Sequence, residues 1–195
     1  DALEHYQKSL SFWQQIQAQS DVMFKDTLTA QQFQEREGVL LFYVGLCYCR
    51  KADLQPAQNH ANWQEAKTYL QKCVSIFQHA DRQDLVAKFI SQLGQVLRRL
   101  CAWQELEILA QNALVIYQNL SQVQGVSLDI QFAQHYGFLA EVALHRQQWQ
   151  AAKQSAEKAL QTLERSLISK PKYQALYLLL LARSQRSLGH LNLAA

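Results

Sequence analysis

Residues 144–160 read LHRQQWQAAKQSAEKAL, in which Trp149 is followed three, seven and ten positions later by Ala152, Ala156 and Ala159. Residues at this spacing share one face of an α-helix. The phrase recurs at 62–73, NWQEAKTYLQKC, where Trp63 precedes Ala66, Leu70 and Cys73. It recurs again at 102–113, AWQELEILAQNA, where Trp103 precedes Leu106, Ala110 and Ala113. Upstream of each phrase lies a second apolar string with a small residue inside it: Gly45 in LFYVGLCY (41–48), Gly94 in FISQLGQVL (89–97) and Ala140 in HYGFLAEVAL (135–144). Gly94 and Ala140 stand nine residues before their tryptophans. Gly45 stands eighteen before Trp63, which marks an insertion at 52–60, ADLQPAQNH.

The pattern is a helix–turn–helix unit repeated about every 40 residues. Two antiparallel helices approach to about 8–10 Å only where small side chains meet at the crossing. Gly45, Gly94 and Ala140 provide this on the first helix of a unit, and the alanines of the tryptophan phrase provide it on the second. The pattern predicts helices over 2–19, 30–51, 61–79, 82–100, 102–120, 127–146, 149–168 and 171–188. Thr29 and Gln32 form a capping box, Ser127 is an N-cap and Pro171 opens the last helix. One array fills residues 1–195. Its parts are the second helix of a partial repeat (1–19), a repeat at 30–79 carrying the insertion 52–60, repeats at 82–120 and 127–168, and a truncated repeat at 171–195. In the last, Ala182 takes the small position, Gly189 the turn, and Leu191 and Ala194 the places of the tryptophan and first alanine. Beginning and ending in mid-repeat is what a piece of a longer array would show.

Composition agrees. The chain has only 6 Gly and 2 Pro, too few turn residues for most β-proteins. Its net charge of +3 is too weak to name nucleic acid as a partner. Four cysteines without framework spacing suit reduced thiols and a cytoplasmic protein. The longest apolar run, ALYLLLLA at 175–182, is too short to span a bilayer, so no membrane partner is expected.

These motifs resemble the tetratricopeptide repeat. The matches are Leu41, Val44, Gly45, Tyr48, Trp63, Ala66, Leu70 and Cys73 in one unit, and Ile90, Leu93, Gly94, Leu97, Trp103, Ala110 and Ala113 in the next. The third supplies Tyr136, Leu139, Ala140, Ala143, Trp149, Ala152, Ala156 and Ala159. The period exceeds the 34 residues of the family's basic form and is similar to the long repeats of kinesin light chains and of bacterial signal-transducing ATPase sensor regions. Cys101 and Gln147 stand where turn glycine is usual, and the terminal proline is missing. The resemblance implies an all-α fold, an α–α superhelix or solenoid of antiparallel helix pairs, serving as a scaffold or signalling module that binds protein.

No catalytic set stands out among the six scattered histidines, and no HExxH, GxSxG or phosphate-binding glycine loop is present. Cys47 and Cys49 lack further ligands at metal spacing. We expect a non-enzymatic protein with no cofactor and no metal. In the family the first helices line a concave groove, which here implies Phe42, Leu46 and Arg50, then Lys88, Gln95, Arg98 and Arg99, then Glu141 and His145, and finally Arg183 and Arg186. The accompanying positions are Val39, Cys49, Ser91, Gln134, Gly137, Leu144, Leu176, Leu179 and Ser187. The set is mostly basic, which suits an acidic peptide or protein segment held by arginine forks. The bland account is solvated helix ends, where Arg and Lys are common anyway. Nucleic-acid binding by a helical repeat is the alternative, but it needs stacking aromatics, and the tryptophans fall at packing positions. Uncapped repeat ends leave oligomerisation open.

Overall fold

The computed structural model describes residues 2–23, 29–125, 127–166, 168 and 170–194, and all regular secondary structure among them is helical. The helices are α1 (Ala2–Met23), α2 (Ala30–Leu54), α3 (Asn59–His79), α4 (Gln83–Arg99), α5 (Trp103–Gln124), α6 (Asp129–His145), α7 (Trp149–Arg165) and α8 (Pro171–Ala194). They divide into two compact units, Asp1–Leu100 and Cys101–Ala195. The helices of the expected 82–120 repeat, α4 and α5, therefore belong to different units.

The tryptophan phrases became the buried stripes of the second helices. Ala66, Leu70 and Cys73 on α3, Leu106, Ala110 and Ala113 on α5, and Ala152, Ala156 and Ala159 on α7 are all sealed from solvent. On α7 burial stops at that single stripe plus Leu163. The first helices α4 and α6 differ. On α4, Val86, Ala87, Phe89, Ile90, Leu93, Gly94, Val96 and Leu97 are buried, which takes in more than one face. A helix hidden on several sides is an inner element, and one hidden on a single stripe is an outer one.

In the first unit α1 to α4 alternate in direction. Tyr6 stacks on Tyr43 and Trp13 meets Phe33 at a tilt, so α1 and α2 are antiparallel. A Cβ on Gly45 would lie 2.8 Å from Leu70 Cγ, and one on Gly38 would lie 2.6 Å from Phe77 Cζ. The missing side chains thus let α2 and α3 close together. Further along, Phe42 meets Phe89 with ring centroids 4.4 Å apart, Glu35 pairs with Arg82, and Gln92 Nε2 reaches Cys49 Sγ at 3.7 Å. These pairs ascend both helices together, so α4 lies parallel to α2.

In the second unit one first helix meets the next through equivalent positions. Gly137 on α6 meets the Tyr177 ring of α8, where an added Cβ would lie 2.4 Å from Cε1. Gly137 and Phe42 each stand three residues before their small residue, and Tyr177 and Phe89 each stand five before theirs. Second helices meet the following first helices equivalently as well. Phe77 stacks on Phe89 at 5.3 Å, and Tyr117 meets His135 edge-on at 5.1 Å. Ala133, Ala140, Ala156, Ala159, Leu163, Tyr177 and Leu180 form the core of α6, α7 and α8.

Tight turns join several of these helices. Asp81, Cys101 and Gln147 take the left-handed conformation, with φ of 52°, 54° and 60°. After α3 the amide of Arg82 donates to Phe77 O at 2.9 Å and that of Asp81 to Gln78 O at 3.2 Å. After α6 the amide of Gln148 donates to Ala143 O at 2.9 Å and that of Gln147 to Leu144 O at 3.1 Å. This double closure satisfies the last carbonyls and ordinarily uses glycine at the left-handed position.

Several expected boundaries moved. The capping box formed, with Thr29 Oγ1 accepting from the Gln32 amide at 3.2 Å and Gln32 Oε1 from the Thr29 amide at 2.9 Å. Ser127 is not an N-cap. Its hydroxyl donates to Asp129 Oδ2 at 2.6 Å, and α6 begins at Asp129. The insertion 52–60 is mostly helix, because α2 runs to Leu54, a 3-10 turn spans Pro56–Gln58 and α3 starts at Asn59. Of the expected linker 20–29, α1 takes up the part to Met23, and 24–28 lie outside the described residues. Gly189 forms no turn, since α8 continues through it to Ala194. The side chains of Leu191 and Ala194 lie outside the described residues, and Ala182 is exposed.

Candidate functional site

The expected groove residues fall into three environments. The positions three before the small residue, Phe42 and Gly137, are covered by the next first helix, by Phe89 and Tyr177 respectively. Cys49 and Gln134 are buried too, so these accompanying positions are not open to a guest.

A second group turns toward the tryptophans. Arg99 stands five residues after Gly94, and its guanidinium lies over the Trp63 ring, 5.7 Å from the centroid. His145 stands five after Ala140 and stacks on Trp103 at 4.9 Å. In both cases the end of a first helix caps the tryptophan of the preceding second helix. Arg146 adds an ion pair to Glu107 on α5 at 2.7 Å. These rings are engaged in packing, which weakens any use as base-stacking platforms.

The third group lines the accessible side of the first helices. On α2, Leu46 is half-buried and Arg50 exposed. On α4, Lys88 is exposed, Gln95 and Arg98 are half-buried, and Arg98 Nη1 donates to Gln95 Oε1 at 3.3 Å. On α6, Glu141 is half-buried. On α8, Arg183 and Arg186 are exposed. Cations outnumber carboxylates in this group.

Residues the sequence reading passed over complete a cleft of about 410 Å³ between α1 and α2. Leu46 and Arg50 line it together with Leu3, Tyr6, Tyr43, Lys51 and Leu54. Tyr43, Leu46, Cys47, Arg50 and Leu54 recur at helical spacing, so the stripe was visible in the sequence. It lies beside the stripe counted for the groove.

Burial governs the thiols. It raises the Cys47 thiol, and pushes Cys49 to about 11 and Cys73 to about 12. All three stay protonated at neutral pH, a poor state for a nucleophile or metal ligand. Among the described residues no group of three His, Cys, Asp or Glu could hold a metal ion. Among them, too, no helix is long and apolar enough to cross a membrane. The buried His135 is dominated by desolvation, which lowers its pKa to about 4. Its Nδ1 faces the Gln131 carbonyl at 2.9 Å. A carbonyl only accepts, so the proton of the neutral ring sits on Nδ1, and Nε2 is a bare acceptor with no partner among the described residues.

No protein-family model matches the chain, and no curated protein sequence matches it.

Proposed function

We propose that the chain is a non-enzymatic interaction module of the tetratricopeptide type, an α-solenoid whose first helices hold an acidic peptide or protein segment. The observation that carries this reading is that first helices meet through the same relative positions in each unit, α2 with α4 and α6 with α8. Hairpins that stack this way share one core, and none buries its apolar face alone. Within each unit the first helices then keep accessible residues of their own, Leu46, Arg50, Lys88, Gln95 and Arg98 in the first and Glu141, Arg183 and Arg186 in the second. Arginine forks match carboxylates in both shape and charge.

Fluorescence anisotropy with an extended peptide rich in Asp and Glu tests the proposal. We expect saturable binding that weakens as salt is raised and that Lys88→Glu with Arg98→Glu reduces at least about tenfold at low salt. Equal affinity in that double variant defeats the reading.

A further inference from the structure

The cleft between α1 and α2 is a second surface, distinct from the row along the first helices except at Leu46 and Arg50. Tyr6 and Tyr43 stack in it with ring centroids 5.3 Å apart and planes 8° from parallel. Tyr43 remains 42% exposed and Leu54 79%, high values for large apolar side chains lining a concavity. Arg50 and Lys51 bound the same cleft, and no carboxylate lies among the described residues that line it.

The molecule contains a guide to what fits there. The shift that carries Gly45 onto Gly94 carries Tyr43 onto Gln92, and α4 presents Gln92 to the helix parallel to it, α2. Tyr43 therefore occupies the position through which a first helix meets a neighbouring helix, but on the opposite flank of α2. A helix is the complementary shape. Charge selects the partner. The exposed stripe of α8, with Leu178 51% and Leu179 55% exposed, carries Arg183 and Arg186. Seating that stripe of a second copy on the cleft would bring Arg against Arg and Lys, which costs affinity.

We propose that the α1–α2 cleft docks an acidic amphipathic helix of another protein. Its apolar face lies on Tyr6, Tyr43, Leu46 and Leu54, and its carboxylates meet Arg50 and Lys51. This is helix-in-groove recognition, in which spaced apolar anchors supply affinity and rim charges set the choice of partner. It rests on the proposed binding role but uses a surface that shares only Leu46 and Arg50 with the first-helix row.

The probe is a peptide of about 18 residues, long enough for helix formation, with leucines on one face and glutamates on the other. It is compared with a peptide carrying lysine at every glutamate. Titrated against the whole chain at low salt, the glutamate peptide is expected to saturate, with the lysine peptide at least about tenfold weaker. Tyr43→Glu with Lys51→Glu lowers affinity for the glutamate peptide by a similar factor. Leu54→Glu, at a largely exposed position, gives the same readout without threatening the fold, which circular dichroism checks. Failure of the glutamate peptide to saturate overturns the proposal, as does equal binding of the two peptides or unchanged binding in the variants. Self-association in sedimentation velocity that Leu54→Glu abolishes overturns it in favour of a second copy. The extended acidic peptide of the previous section reports separately on the first-helix row, and binding of one probe without the other shows which proposal fails.

Discussion

His135 gives the fold a pH dependence whose sign and size follow from its surroundings. The ring is fully buried on α6, edge-on to Tyr117 at 5.1 Å and to Phe138 at 5.3 Å. Burial lowers its pKa to about 4, against about 6.5 in the unfolded chain. The folded value is the depressed one, so between these limits the unfolded state binds more protons. The contribution is fully present above pH 6.5 and is lost as pH falls toward 4. Linkage gives a loss of about 2 kcal/mol between pH 7 and pH 5, rising to about 3 kcal/mol near pH 4. The equivalent position holds Phe89 on α4 and Tyr177 on α8, so His135→Phe places in α6 an aromatic ring of the kind those two helices carry. The variant should lose about 2 kcal/mol less than the parent over the same interval. At pH 7 it should also be more stable by about 1 kcal/mol, because the partnerless Nε2 is gone. Urea denaturation followed by circular dichroism at pH 7, 6 and 5 measures both effects. Hydrogen exchange of the α6 amides localises the loss to the second unit. Identical pH slopes in parent and variant, or a His135 ring that titrates above pH 6 in the folded protein, would rule out this origin of the pH dependence.

Other substitutions test the packing. Gly137→Ala should destabilise by about 1–2 kcal/mol, because a Cβ 2.4 Å from the sealed Tyr177 ring outweighs the gain of about 1 kcal/mol in helix propensity. Gly189→Ala meets nothing within 4 Å among the described residues and should stabilise by up to about 1 kcal/mol, so opposite signs in the same thermal melts are expected. Gln147→Gly relieves a left-handed φ of 60° and should raise Tm by about 2 °C. A thiol reagent should label the exposed Cys101 first and reach Cys49 and Cys73 only on unfolding, which peptide mass spectrometry distinguishes.

The second helices were the most legible part of the sequence. A tryptophan phrase whose small and apolar residues recur on one face has only one economical reading, and those residues are the sealed stripes of α3, α5 and α7. Gly45 likewise marked a crossing before its contact with Leu70 was visible. The candidate surface was read less well, because α4 and α6 are buried on several faces and periodicity does not tell which neighbour covers which stripe. Phe42 and Gly137 looked open but lie under the next first helix, and Arg99 and His145 turned to the tryptophans. The α1–α2 cleft was missed for a related reason. It needs Tyr6 from a helix that carried no tryptophan phrase. At Gly189, helix propensity elsewhere in α8 carried the chain through a residue whose sequence context suggested a turn.

Chemical-shift mapping with the extended acidic peptide tests most directly whether the first helices form a receiving face. Amide shifts are expected to gather around Leu46, Gln95 and Arg98, and around Arg183 and Arg186, and to fade as salt is added. Shifts concentrated on the outer faces of α3 and α7, or none at saturating peptide, would contradict a receiving face there.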